Sequence, residues 1–508
     1  MIGAREGVFG AATKRSLAWA LAFVALTACS AIAQTIPVYP GCDVPRPSER
    51  GRTFYIDPVH GSPTNDGSKE RPWRTLAEVV DPANHLIATR SYIAGPRDPR
   101  PIQPINPSGS IRPGDTLVLM SGDHGAVEMR SDLNDDFIWV VAGPDQTPVI
   151  DSMKIYASSH WVFRGVKFQG IRPENDPWGG LIEVVSHNWM GPSDNIVFVG
   201  NSFSTADESE SWTPEDWVNK PFKTGFGSSG FCTALVDNHF FNVRDAASIG
   251  GDRTLAQGNL IERMGNDGID IAASDLIIRG NVIRDGRNTP TEPLHPDGIQ
   301  GWTAPGVTNR NVVIEGNKVI NVNPSDDNTL QGIDIFDGHW DGVTVVNNVV
   351  VTNHWHGIAL YGVDDARVIN NTVVPAQPDK FPSWIMIHDN KDKTPSRHVV
   401  VRNNIAAQLI VDAEDVSFDH NIAQKRISAN IGGRAPVELT RGGIGDHNFI
   451  DGGVFGYFVD YGSRTGHFDL RPTQFSPAAG AGAADGAPPF DIAGKARTPP
   501  IDIGAYAR

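Results

Sequence analysis

Five segments in the middle of the chain align on one glycine position. They are NDGIDIAAS about Gly268, PDGIQGWTA about Gly298, LQGIDIFDG about Gly332, WHGIALYGV about Gly357, and SWIMIHDN with Trp384 in the glycine's place. A weaker copy, RDAASIGGD about Ala246, precedes them. After nearly every copy comes a second phrase that ends in asparagine: TLAQGN to Asn259, LIIRGN to Asn281, VVIEGN to Asn317, VTVVNN to Asn348, ARVINN to Asn371 and VVVRNN to Asn404. Self-similarity at about 20 to 35 residues marks a repeat architecture. Each repeat holds short alternating runs of β-formers and no long helical period. Together these predict an all-β chain: a single right-handed parallel β-helix of about ten coils, each coil stacked on the last around a tubular core.

The asparagine spacing supports this. Asn259 and Asn281 are 22 residues apart, close to one minimal coil, and Asn281 to Asn317 is 36. A minimal coil plus a surface loop accounts for the longer step. One asparagine per coil, just after a β run, can form a ladder whose amides satisfy backbone groups left unpaired by a bend. Asn201, Asn238, Asn259, Asn281, Asn317, Asn348, Asn371 and Asn404 are assigned to that ladder.

The chain has 508 residues, 53 of them Gly and 37 Pro, and is 40% hydrophobic. A solenoid core grows with each coil, so one domain of this length is expected. The net charge of −16 argues against a nucleic-acid partner. Lys14 and Arg15 precede an apolar run from Leu17 to Leu26, the pattern of an export signal over residues 1–33. The run is too short to span a bilayer. Leu26-Thr27-Ala28-Cys29 has lipobox form and would leave a lipid anchor on Cys29, whereas Ala31-Ile32-Ala33 suits ordinary signal peptidase. A periplasmic, outer-membrane or extracellular monomer is expected. Cys42 and Cys232 either pair there or stay as thiols.

Residues 34–52 read as a linker, 53–425 as the β-helix with an N-terminal cap, and 426–508 as an irregular C-terminal region. TFYIDPVHGSPTNDGSKERPWRTLAEVV (53–80) resembles the entry segment of bacterial pectate-lyase-like β-helix proteins, in which a small amphipathic helix caps the first coil. IRPGDTLVLMSGDHG (111–125) and the closing FDIAGKARTPPIDIGAYAR (490–508) resemble the same group. The expected coils run from about 111 to 421.

With the aligned glycine as position zero, Ile269, Ile271, Ile299, Ile333, Ile335, Ile358 and Leu360 at +1 and +3 should face the core. Position +2 reads Asp270, Gln300, Asp334, and +4 reads Trp302, Phe336, Tyr361, His388. Position −1 reads Asp267, Asp297, Gln331, His356. Two polar columns and an aromatic one are thus expected on one exterior face. An Asp before Gly is often only a turn residue, but a stack of acids about 4.8 Å apart repels itself. Aromatic faces beside carboxylates and amides suit sugar rings. His295-Pro-Asp297-Gly-Ile-Gln300 is the densest group, and His354-Trp-His356-Gly lies two coils on.

The resemblance implies a polysaccharide lyase acting on an acidic, uronic-acid-containing polysaccharide, with calcium or basic residues neutralising the uronate. On that footing Asp267, Asp270, Asp297 and Asp334 are the calcium ligands, with Asp267 and Asp297 foremost. His295 or His356 is the base, Tyr361 the acid, and Arg244 at −2 of the preceding coil a further base. The elements NDGID and HGI also resemble polygalacturonase-type hydrolases, although the basic element those carry is missing after His356. Two readings therefore stand beside the lyase: a glycoside hydrolase using stacked Asp residues, and a non-catalytic glycan-binding surface protein.

Overall fold

The computed structural model describes residues 39–46, 51–95, 100–170, 179–220, 224–287, 296–321, 329–377, 380–430, 436–445, 447–462 and 467–508. The expected export signal, Cys29 and His295 lie outside these residues. No helix among the described residues is long and apolar enough to cross a membrane.

The strands stack in parallel, each on its counterpart one coil away. One sheet runs in chain order from Thr53–Ile56 through Thr116–Leu119, Leu133–Ala142 and Ser159–Arg164 to Arg397–Arg402 and Glu414–Asp419. A second set, exemplified by Leu260–Met264, Val282–Arg284, Lys318–Ile320 and Val349–Thr352, follows the asparagine turn. A third set holds the repeat glycines: Asp245–Ile249, Ile269–Ile271, Asp297–Trp302, Gln331–Asp337, His356–Tyr361 and Trp384–His388. Each coil visits the three faces in turn. The first sheet begins at Thr53, before the expected start at 111, and Ile422–Ala429 with Asn448–Ile450 extends the stack past 426.

The core forms as the alternation requires. Ile269, Ile271, Ile299, Ile333, Ile335, Ile358 and Leu360 are all buried. Toward the N-terminal side the tube is filled by stacked rings, with Phe168, Phe203 and Phe240 at successive centroid distances of 5.0 and 4.4 Å. A short helix, Leu76–Val80, is capped by the Thr75 side chain and buries Leu76, Val79 and Val80. It covers apolar surface at the solenoid's first end.

The asparagine ladder is continuous. In each step from Asn201 to Asn448 the backbone N–H donates to the next coil's asparagine Oδ1 at 2.8–3.0 Å. The side-chain Nδ2 donates to the same oxygen at 2.9–3.1 Å. It also donates to a carbonyl of the preceding coil, as Asn281 does to Ala256 at 3.0 Å. Each ladder asparagine thus bonds the coils on both sides of it. Asn421 and Asn448 are two rungs beyond the eight expected, and both end the phrase His-Asn. The residue before each rung is left-handed: Gly258 and Gly280 at φ 67° and 63°, Asn347, Asn370 and Asn403 at 55–57°, His420 and His447 at 52° and 58°. Glycine, Asn and His tolerate that conformation best.

The repeat glycines have a different cause. A Cβ on Gly332 would lie 1.9 Å from the carbonyl oxygen of Gly357, and one on Gly357 would lie 2.3 Å from Val373 Cγ1. Successive coils touch backbone to backbone at this corner. Trp384 does not occupy that slot, because a register shift pairs it with His356.

The C-terminal residues pack along the side of the coils. Ala478, Ile503 and Ala505 bury against Val349, Val374, Ile405 and Ile422. The left-handed asparagines hold the tail: Asn370 Nδ2 donates to the Asp502 and Gly504 carbonyls at 3.2 and 3.1 Å, and Arg497 donates to Asn347 Oδ1 at 2.9 Å. Cys42 and Cys232 form a disulfide across 190 residues, which decides the alternative left open by the sequence.

Asn281→Ala leaves two buried donors, the backbone N–H and Nδ2 of Asn259, without their acceptor. The expected cost is about 3 kcal/mol or more, read as a lowered midpoint in thermal or denaturant unfolding.

Candidate active site

Successive coils of the third set align the acids. Asp270, Gln300 and Asp334 are direct partners across neighbouring strands, flanked by Ser248 and Ala359. At the strand entry, Asp267 N–H donates to Asp245 Oδ1 at 3.3 Å, and Asp297 N–H donates to Asp267 Oδ1 at 2.7 Å. Asp297 pairs with Gln331, whose Oε1 bonds His356 Nδ1, and His356 pairs with Trp384. The column therefore reads Asp245, Asp267, Asp297, Gln331, His356, Trp384: acids at one end, aromatic groups at the other.

The acids are far less open than an exterior column requires. Asp297 and Asp334 are 0% exposed, Asp267 is buried, and Asp270 and Gln300 are half-buried. Of the expected aromatic wall only Trp302 is exposed, while Phe336 and Tyr361 are half-buried. A register shift between Gly301 and Trp302 sets Trp302 opposite Asp337 and takes Phe336 out of line. Phe336 instead packs its ring on His356 and Tyr361, at 5.4 and 5.5 Å. His388 pairs with Tyr361 and lies 3.9 Å from Asp412.

Burial and mutual repulsion raise every carboxyl of the group. Burial, then the Asp245 charge, pushes Asp267 up to about 7, against the opposing pull of Arg244 and of its own hydrogen bonds. Asp270 is held well above the usual carboxylate range by burial and by Asp267 and Asp245. Asp297 is likewise well raised, by burial and then by Asp334. Burial lifts Asp334 to about 8, with contact from Asp297 acting in the opposite sense. None of the four oxygens of Asp297 and Asp334 has an N–H or O–H partner among the described residues. Two such buried carboxyls cannot both carry charge cheaply, so the pair as a unit holds a proton more tightly than a free carboxyl. Burial and the nearby Asp334 raise the Tyr361 phenol to about 12, so it stays protonated at neutral pH.

Asp245, Asp267 and Asp270 place one carboxylate oxygen each within 4.8 Å of one another. Asp270 Oδ1 is buried without a partner among the described residues. Three hard oxygen donors this close together fit a divalent cation such as calcium. Asp245 was missed by the sequence reading although it stands at −1 of the weak copy about Ala246, so the repeat register itself was the signal. Asp297, expected as a ligand with Asp267, is not among the three acids of that cluster.

A family model described as "Right handed beta helix region" matches residues 224–373. The chain is a right-handed parallel β-helix protein. The sequence matches no curated protein. Among solved structures it is similar to pectate lyase Pel9A, at 14% identity over 93% of this chain and 98% of that one, with a TM-score of 0.48. It is also similar to XylC in complex with xylose, at 10% identity over 90% and 98%, with a TM-score of 0.49. The A-module of the Azotobacter vinelandii mannuronan C-5 epimerase AlgE4 matches at 13% identity over 63% and 90%, with a TM-score of 0.37. The activities in those names belong to those proteins.

The raised carboxyls make stability fall with pH. A carboxyl raised in the folded state keeps its full contribution below the unfolded value near 4 and loses it as pH rises through the folded values of about 7 and about 8. The melting temperature is therefore expected to fall from pH about 4 to about 8, and Asp334→Asn to flatten that slope. Calcium added at the upper end should restore the melting temperature of the native chain but not of Asp270→Asn.

Proposed function

We propose that this chain is an exported enzyme that cleaves an acidic, uronic-acid-containing polysaccharide by β-elimination. The carrying observation is the Asp245, Asp267 and Asp270 cluster, a close set of oxygen donors on the same face as His356 and Tyr361. A cation held there would bind a uronate carboxylate three strand steps, about 14 Å, from His356, and so would anchor the polymer along the face rather than act at the reacting C5. The rest falls to the side chains. The Gln331 carbonyl oxygen accepts from His356 Nδ1, so the neutral imidazole carries its proton on Nδ1 and Nε2 is the basic atom. His356, one of the two histidine bases expected from the sequence, takes the C5 proton in this reading; the other, His295, lies outside the described residues. Tyr361, protonated at neutral pH, gives its proton to the leaving glycosidic oxygen as the C4–O bond breaks and a C4–C5 double bond forms. The Cys42–Cys232 disulfide suits an oxidising, exported setting.

One observation favours a second reading. Asp334 and Asp267, raised to about 8 and about 7, are carboxyls that hold protons near neutrality. A hydrolase needs a carboxyl in that state as its general acid.

The protein is incubated with alginate, pectate and glycosaminoglycans, with and without calcium. β-Elimination yields ends that absorb in the ultraviolet, together with new reducing ends. We expect both, dependent on calcium, with His356→Ala lowering kcat by roughly 100-fold or more and Asp270→Asn losing the calcium response. Reducing ends without the absorbance would identify the hydrolase and reject elimination.

A further inference from the structure

A cavity of about 220 Å³ opens near the first end of the solenoid. There the short helix Leu76–Val80 and the antiparallel hairpin Thr89–Tyr92 and Ile102–Ile105 meet the turn after the strand Ala126–Arg130. That strand begins the face that later carries the acids: Ser152–Tyr156, Ile182–Val185, Thr224–Ser228 and Asp245–Ile249 follow it in register. Four strand steps separate the cavity from the Asp245 strand by about 19 Å along the solenoid. Val79, Leu86, Ile87 and Ile105 line the cavity with hydrocarbon, and Asp132 brings a carboxyl. Asp132 is only 7% exposed, and its Oδ2 is buried with no hydrogen-bond partner among the described residues. Burial alone pushes this carboxyl up to about 7. The charged groups nearby are engaged elsewhere. Arg130 pairs with Glu128 and lies over the Tyr156 ring at 5.1 Å, Arg90 on the hairpin pairs with Asp135, and Glu78 on the helix pairs with Arg74. Asp81 accepts from the Ala83 N–H at 2.9 Å, and His85 is exposed. The wall hydroxyls are spent too: Thr89 donates to the Leu133 carbonyl and Ser91 to the Tyr92 carbonyl, each at 2.9 Å.

We propose that this cavity binds a short aliphatic amine, its ammonium on the Asp132 carboxylate and its carbon chain against Val79, Leu86, Ile87 and Ile105. The site stands apart from the polysaccharide reaction proposed above and does not rest on it. At about 30 Å³ for each water-sized group, the cavity holds about seven heavy atoms. Waters alone would need two to four polar partners each, which this hydrocarbon wall does not supply. A buried carboxylate without a partner is costly, and an ammonium answers it with both charge and N–H donors. One carboxylate is too few oxygens for a divalent metal ion. An alcohol of the same length donates one hydrogen bond and leaves the charge unanswered. The amine needs the ionised carboxyl. With a carboxyl that titrates near 7, the ionised fraction rises from about one-tenth at pH 6 to about nine-tenths at pH 8, and the affinity for the amine rises with it.

The test titrates the native protein, Asp132→Asn and Ile105→Trp with n-butylammonium and with 1-butanol, at pH 6 and pH 8, followed by the ligands' NMR signals. Asp132→Asn keeps the shape and removes the charge. Ile105→Trp keeps the carboxyl and fills the cavity from a wall position that is itself 36% exposed, so it decides the matter if Asp132→Asn does not fold. We expect the native protein to bind butylammonium roughly tenfold more tightly at pH 8 than at pH 6, and more tightly than butanol at pH 8. Either substitution should weaken the amine at pH 8 by roughly tenfold or more. Native-like amine binding in either folded variant would put the amine elsewhere on the protein, the acid cluster included, and overturns the site. An affinity equal at the two pH values, or equal for amine and alcohol, overturns it as well, and so does native protein that binds neither ligand.

Discussion

Stacking coils at one strand spacing brings the same position of each repeat into contact with itself, and most of this structure follows from that. A residue type that bonds its own kind is then stabilised along the whole tube, and one that repels its own kind is penalised there. Asparagine is the favourable case. Its amide has two donors and two acceptor sites, so each rung gives to the next and receives from the last, and only the ends of the ladder need other partners. The ladder from Asn201 to Asn448 satisfies the backbone at a turn that carries no strand pairing. Glycine is the steric case: coils approach backbone to backbone at Gly332 and Gly357, where a Cβ has no room.

Aspartate is the unfavourable case. Asp245, Asp267, Asp270, Asp297 and Asp334 stand on adjacent coils, and most of them are shielded from water. A fold that needed only turn residues there would be more stable with asparagine or serine. The cost is contained in two ways, each tied to chemistry. Burial holds Asp297 and Asp334 toward the protonated form, and Asp245, Asp267 and Asp270 are arranged as oxygen donors. Stacking thus converts a sequence repeat into a set of perturbed carboxyls, the condition from which acid, base or cation chemistry is built.

The outside of the tube is tied down at two places. The disulfide binds the segment before the first coil to Cys232, and the tail binds the left-handed asparagines that precede the ladder rungs. Those asparagines therefore act twice: their backbone makes the turn, and their side chains, which face outward, receive the tail. The third face, where the acids lie, is on another side of the coil from this packing.

Much of this could be read from the chain. The period, the asparagine rungs and the inward Ile and Leu positions follow from local pattern, because a strand alternates sides and a solenoid repeats. The alignment also placed Asp267, Asp270, Asp297 and Asp334 on neighbouring coils. Sequence could not show how deeply those acids sit, since burial depends on neighbours far along the chain. Nor could it show that the strand shifts register at Trp302 and Trp384, which moves Phe336 onto His356 and sets Trp384 beside it. Asp245 belonged to the pattern but was hidden by the weakness of its repeat. Which carboxyls gather as a donor cluster and which are buried apart from it was decided by tertiary structure alone, because a difference of an ångström or two between coils determines whether two carboxyls touch.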